Sequence, residues 1–261
     1  MTAISMMYTA GKRFVIAADG RCKSDDESAS KEGETEEAQK IFPFETDNIK
    51  MAWAMAGMSS TEDGRFDLVA ESKKQMEALV ISRLSNGHQY VKGFCARLKR
   101  AIVKARLDGR ITKFPKTEHL EPEEKGRIVR VFFLGYFRGL PFWAEAKFYH
   151  HKETDSIERR INDSDFSQPL MAIGPDVIAD MMYRSGATVD PRLATYKRDI
   201  RDGDLEYVSS YIRACSDPAA VEIDSCCKYI GGHIHAAEIT PDGFRWLIEP
   251  KHDPKRHQIK A

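Results

Sequence analysis

The chain has 261 residues, 42% hydrophobic and 31% charged, with 40 Lys and Arg balanced by 40 Asp and Glu. Zero formal net charge excludes nucleic-acid binding by bulk charge and a polybasic membrane anchor, and leaves room only for a local basic patch. No apolar run approaches 18 residues, and five irregularly spaced cysteines form no disulfide framework, so a reducing cytoplasm is expected.

The chain opens on a hairpin pattern. Residues 2–8 are short and β-tolerant, 9–12 form a turn, and Arg13-Phe14-Val15-Ile16-Ala17-Ala18 is an apolar run fit for a strand covered on both faces. Asp19 falls where that strand ends. Residues 20–37 are acidic and turn-rich and read as an exposed loop. Residues 40–44 and 49–57 predict a second hairpin about Thr46-Asp47-Asn48, its second strand buried.

Ser59-Ser60-Thr61-Glu62 supplies helix-start chemistry. Leu68, Val69, Met76, Leu79 and Val80 then carry a helical stripe that Gly87 breaks. Val91, Phe94, Leu98, Ile102, Val103 and Leu107 predict a second core-facing stripe. After a charged loop at 108–127, residues 128–136 and 141–149 read as an apolar hairpin around Arg138-Gly139. Residues 170–174 predict a strand feeding a helix at about 176–185. Leu205, Val208 and Ile212 mark another at about 204–215. Strands at 229–239 and 244–248 flank a turn at Pro241-Asp242-Gly243, and a polar tail closes the chain from Lys251.

Strands arrive as hairpins, with helices in pairs between them. That order favours antiparallel sheets with segregated helices over a doubly wound parallel sheet. The fold class expected is α+β, a four-layer αββα sandwich with two stacked antiparallel sheets between helix layers. One domain is expected over 1–250, followed by the tail 251–261.

Candidate chemistry gathers near the N-terminus. Removal of Met1 exposes Thr2, which then carries both a hydroxyl nucleophile and an α-amine able to accept a proton near neutral pH. A nearby Lys favours the neutral amine, and an Asp holds that Lys charged. Asp19 and Lys40 are the candidates, since neighbouring hairpin strands can bring them to one end of a sheet. Cys226-Cys227 with His233-x-His235 suggests metal ligands. Adjacent cysteines point to opposite faces of a strand, however, and no paired CxxC is present, so no metal site is predicted.

Phe14-Val15-Ile16-Ala17-Ala18-Asp19-Gly20-Arg21, then Ala38-Gln39-Lys40-Ile41, then Met55-Ala56-Gly57, resembles the proteasome family of N-terminal-nucleophile (Ntn) hydrolases. Further echoes are Leu134-Gly135-Tyr136, Ala172-Ile173-Gly174 and Ile239-Thr240-Pro241-Asp242-Gly243. The short start resembles a β-type, potentially catalytic subunit without a propeptide. The resemblance implies Thr2 as nucleophile, with Asp19 and Lys40 as its acidic and basic partners. It implies Gly57 as the N–H donor to the oxyanion, where losing such a donor commonly costs about 3–4 kcal/mol. Met55, with Cys22 and Lys23, is implied in substrate binding.

The implied activity is a threonine peptidase or related amidohydrolase. It acts on peptide or unfolded protein, needs no cofactor, and works as a cytoplasmic homo-oligomeric ring. Two departures point to the alternative, a catalytically inactive ring or scaffold subunit. Pro175 follows Gly174 where the family usually has Ser. The family's Asp-x-x-Ser is replaced around Cys227-Lys228-Tyr229-Ile230.

Overall fold

The computed structural model describes residues 2–22, 35–61, 63–80, 84–115, 117, 122–162 and 170–251. The chain divides into two compact units, residues 1–43 with 166–261 and residues 44–165.

The first unit is built on β1 (Ile4–Tyr8), β2 (Phe14–Ala18), β8 (Leu170–Ile173), β9 (His235–Thr240) and β10 (Gly243–Ile248). Their order in the sheet is β10-β9-β2-β1-β8, with every described pairing antiparallel. β2 is buried along its whole length, as its continuous apolar run predicts. Ala3, Met7, Val15 and Ala17 share a core with Val208, Tyr211, Ile212 and Cys215 of α4 (Asp204–Ser216) and with Ile178 and Met182 of α3 (Asp176–Tyr183). These residues recur every two along the strands and every three or four along the helices, so one strand face meets one helix stripe.

The second sheet runs in sequence order through β3 (Ile41–Glu45), across whose middle the division into units falls, and β4 (Ile49–Gly57), β5 (Arg127–Phe137), β6 (Leu140–His151) and β7 (Ser156–Asn162) of the second unit. Helices α1 (Leu68–Val80) and α2 (Gly87–Leu107) accompany it. Val91, Phe94, Leu98 and Ile102 are fully buried, with Phe94 meeting Phe133 of β5 edge-on at a centroid distance of 5.1 Å.

Four expectations need correction. Leu107 ends the predicted stripe of α2 but is 81% exposed, because it sits on the last helical residue. Gly87 begins α2 instead of separating the helices, with Asn86 Oδ1 capping the Gln89 N–H at 2.9 Å. β7, Ser-Ile-Glu-Arg-Arg-Ile-Asn, carried no strand prediction. It is a charged edge strand in which Ile157 alone is buried, the composition that protects an open sheet edge. The strand expected over 229–239 begins only at His235. Residues 225–229 form a 3-10 turn instead, capped by Asp224 on the Cys226 N–H.

Candidate functional site

The register of the first hairpin decides what stands beside the N-terminus. β1 pairs with β2 so that Ile4 faces Ala18. The next pair outward is Ala3 with Asp19, and Asp19 N–H donates to Ala3 O at 3.1 Å. The Asp19 side chain folds back over the same pair, and its Oδ1 accepts the Ala3 N–H at 2.9 Å. That oxygen also accepts Lys40 Nζ at 2.7 Å, so the ammonium lies two hydrogen bonds from the Thr2–Ala3 peptide. Asp19 Oδ2 accepts N–H groups from Gly231 at 3.2 Å and Arg21 at 3.3 Å. Four donors thus converge on one carboxylate that has no solvent exposure. A buried charge needs this degree of pairing.

Lys40 is equally constrained. Its Nζ donates to Arg21 O at 2.7 Å as well as to Asp19, and its side chain is 9% exposed. Its backbone N–H donates to His235 Nε2 at 3.0 Å. The turn that carries Arg21 is itself tied down. The Arg21 guanidinium binds Glu36 at 2.8 and 3.0 Å and Ile230 O at 2.9 Å, and the Gly20 and Arg21 N–H groups both donate to Gly231 O. Thr2, Asp19, Lys40, Arg21, Gly231 and His235 therefore belong to one connected region of the first unit. Of these, Arg21 and Gly231 are not among the sequence-based candidates, and His235 figures in the sequence only in the His-x-His pattern that yields no metal site. Arg21 stands inside the motif read there, and the Gly231-Gly232 pair is a turn signal that the strand expected over 229–239 passes over.

Thr2 is nearly buried, and its carbonyl lies under the end of β8. A Cβ placed on Gly174 would stand 3.2 Å from Thr2 O and 2.5 Å from Tyr211 Oη, and Gly174 has φ +127°. Only glycine fits there without displacing a neighbour.

Met55 and Gly57 end β4 in the second unit. Met55 is buried. Gly57 is exposed at φ +112°, where a Cβ would stand 2.7 Å from Ile128 O. Cys22 pairs its backbone with Thr35, its N–H donating to Thr35 O at 2.7 Å. Met1, Lys23 and Glu62 fall outside the described residues, as do most of the acidic loop and the tail beyond Lys251. His233 lies before β9, outside any strand, so it and His235 do not share a strand face. Its Nε2 meets Glu249 O at 2.7 Å, whereas His235 Nε2 takes the Lys40 N–H.

In the place of the family's Asp-x-x-Ser, Cys227 and Ile230 are both buried. Burial pushes the neighbouring Cys215 thiol well up, and a hydrogen bond with Cys227 adds to the effect. Neither Cys227 nor Ile230 carries a carboxylate.

Burial pushes the His235 imidazole down to about 3, and the Lys40 charge adds to the shift. The neutral ring accepts from the Lys40 backbone, and protonation would remove that acceptor. A folded value below the unfolded value of about 6.5 gives a contribution that is present above the unfolded value. It is lost as pH falls toward about 3. The expected slope is up to about 1.4 kcal/mol per pH unit within that window. Urea unfolding of His235→Gln between pH 7 and pH 4 should show a shallower loss than wild type. Parallel curves would refute the assignment.

No protein-family model matches the sequence, and no curated protein matches it. Among solved structures, the chain is similar to Anbu (ancestral beta-subunit) from Yersinia bercovieri, with a TM-score of 0.51 at 9% identity. The similarity covers 95% of this chain and 88% of that one. Likeness at that identity shows the fold: proteasome-like and α+β, with two antiparallel sheets and accompanying helices. No helix among the described residues is long and apolar enough to cross a membrane.

Proposed function

We propose that this chain is a proteasome-like N-terminal-nucleophile hydrolase that cleaves amide bonds with Thr2 after removal of Met1. The observation that carries the reading is the buried Asp19–Lys40 pair, whose shared oxygen also holds the amide next to Thr2. Thr2 Oγ attacks the carbonyl carbon while the Thr2 amine, through a water, takes the hydroxyl proton. Lys40 favours the neutral amine, and Asp19 keeps Lys40 in place. The C–N bond then breaks, the leaving amine takes the proton, and water hydrolyses the ester on Thr2. The oxyanion role of Gly57 and the substrate roles of Met55, Cys22 and Lys23 rest on the family resemblance alone. So do a peptide or unfolded-protein substrate and a homo-oligomeric ring, while a single domain over 1–250 and a cytoplasmic location rest on the order of elements and the cysteine usage.

A specific observation favours a second reading, the inactive ring or scaffold subunit. Buried Cys227 and Ile230 stand where the family resemblance expects an acid and a hydroxyl, and Pro175 brings no hydroxyl. Both readings meet one experiment. Protein purified from cells is treated with a hydroxyl-directed peptide epoxyketone and analysed by intact mass and N-terminal sequencing. The hydrolase reading expects a chain beginning at Thr2, one adduct, and no adduct in Thr2→Ala. Retained Met1, or a free Thr2 that forms no adduct and hydrolyses no peptide, overturns it. An oligomer in native mass spectrometry would then support the scaffold reading.

A further inference from the structure

Helices α1 and α2 of the second unit bound a cavity of about 430 Å³, lined by Glu71, Lys74, Gln75, Arg97, Arg100, Lys104 and Arg110 with Ala101. Five lining side chains are cationic and one is a carboxylate. On α2, Arg97, Arg100 and Lys104 recur at three- and four-residue steps, so one helix face projects all three toward the cavity. Lys74 enters from α1, and Arg110 from the turn after α2.

The single carboxylate does not neutralise the cations. Glu71 Oε1 accepts Gln75 Nε2 at 2.6 Å. Lys74, Arg97 and Lys104 form no ion pair with any carboxylate among the described residues. Among the described residues, Arg100 donates only to Ala96 O of its own helix, at 3.3 Å. Arg110 is held over the Phe66 ring at 5.6 Å, and its guanidinium also lies 3.6 Å from Asp108. In a chain with equal numbers of acids and bases, such a concentration is local. Like charges gathered around one hollow repel, and a multiply charged anion relieves that repulsion.

We propose that this cavity is a binding site for a small polyphosphate anion. Three of the five cations are arginines, whose planar forks match phosphate oxygens, and the volume suits a small molecule. None of its lining residues is among those proposed for the Thr2 chemistry.

The test is isothermal titration of the full chain with inorganic tripolyphosphate at low and physiological salt. Saturable 1:1 binding per chain that weakens with salt is expected. Arg97→Ala/Arg100→Ala should weaken it about tenfold or more. The charge-matched Arg184→Ala/Arg201→Ala, two exposed residues of the first unit, should leave it unchanged. A readout needing no variant is lysine acetylation of wild-type protein. Tripolyphosphate should protect Lys74 and Lys104 but not Lys12 or Lys125. The proposal is overturned by absent or non-saturable binding, by equal loss in both double variants, or by no selective protection. Tighter binding of a single-stranded oligonucleotide or a polyglutamate peptide than of tripolyphosphate also overturns it.

Discussion

Asp19→Ala is expected to lower folding stability by about 3–5 kcal/mol, the range for removing one partner of a buried ion pair. Asp19 has no exposure, so water does not replace it at its donors. The substitution leaves the Lys40 ammonium in a nearly closed site with Arg21 O as its only remaining acceptor among the described residues. It also orphans the Ala3 and Gly231 N–H groups, and each unsatisfied buried donor costs about 1–3 kcal/mol. Asp19→Asn should cost less, since an amide oxygen still accepts at one position while its NH₂ confronts donors at the other. Urea unfolding at pH 7 measures both. A loss under about 1 kcal/mol for Asp19→Ala would show that the pair is not the buried anchor described here. Under the proposed function, neither variant should form an adduct on Thr2. A stable Asp19→Asn that reacts normally would separate the structural role from the chemical one.

Gly174→Ala is the second large effect. The new methyl would stand 2.5 Å from Tyr211 Oη, at a φ of +127° that side-chain-bearing residues rarely adopt. Strained backbone of this kind costs about 1–3 kcal/mol before any clash is counted. Tyr211 is fully buried beneath α3 and β1, so its ring has little room to retreat. Relief through the other neighbour would push on the Thr2 carbonyl, 3.2 Å from the same methyl. Tyr211→Phe removes the clashing oxygen. The double variant should therefore recover part of the loss, with a coupling of about 0.5–3 kcal/mol. Strictly additive losses in thermal or urea unfolding would exclude the contact.

The hairpins at the N-terminus were legible because their signals are local. An apolar run, a turn and a second apolar run imply antiparallel pairing whatever the rest of the chain does. The same holds for Val91, Phe94, Leu98 and Ile102, whose spacing marks a buried helix face by itself. Asp19 and Lys40 could be nominated as partners because each sits at the end of a hairpin strand. Their meeting at 2.7 Å, and the sharing of Oδ1 with Ala3, required the register and the turn at Arg21. β7 escaped because an edge strand dilutes the alternation that marks a half-buried one. Residues 225–232 escaped because two glycines at positive φ turn the chain where a strand was expected.

By itself, the sequence determined most of the hairpins, which helix faces are buried, and the α+β order of elements, because these follow from periodicities spanning a few residues. The tertiary structure alone decided that Gly231, some 210 residues away, donates to Asp19, and that His235 receives the Lys40 backbone. It alone decided that cations from α1, α2 and the following turn surround one cavity in a chain of zero net charge. The reason is physical. A local pattern states that a group must be buried or exposed, while the identity of its partner depends on which distant segment the packing brings within hydrogen-bond reach.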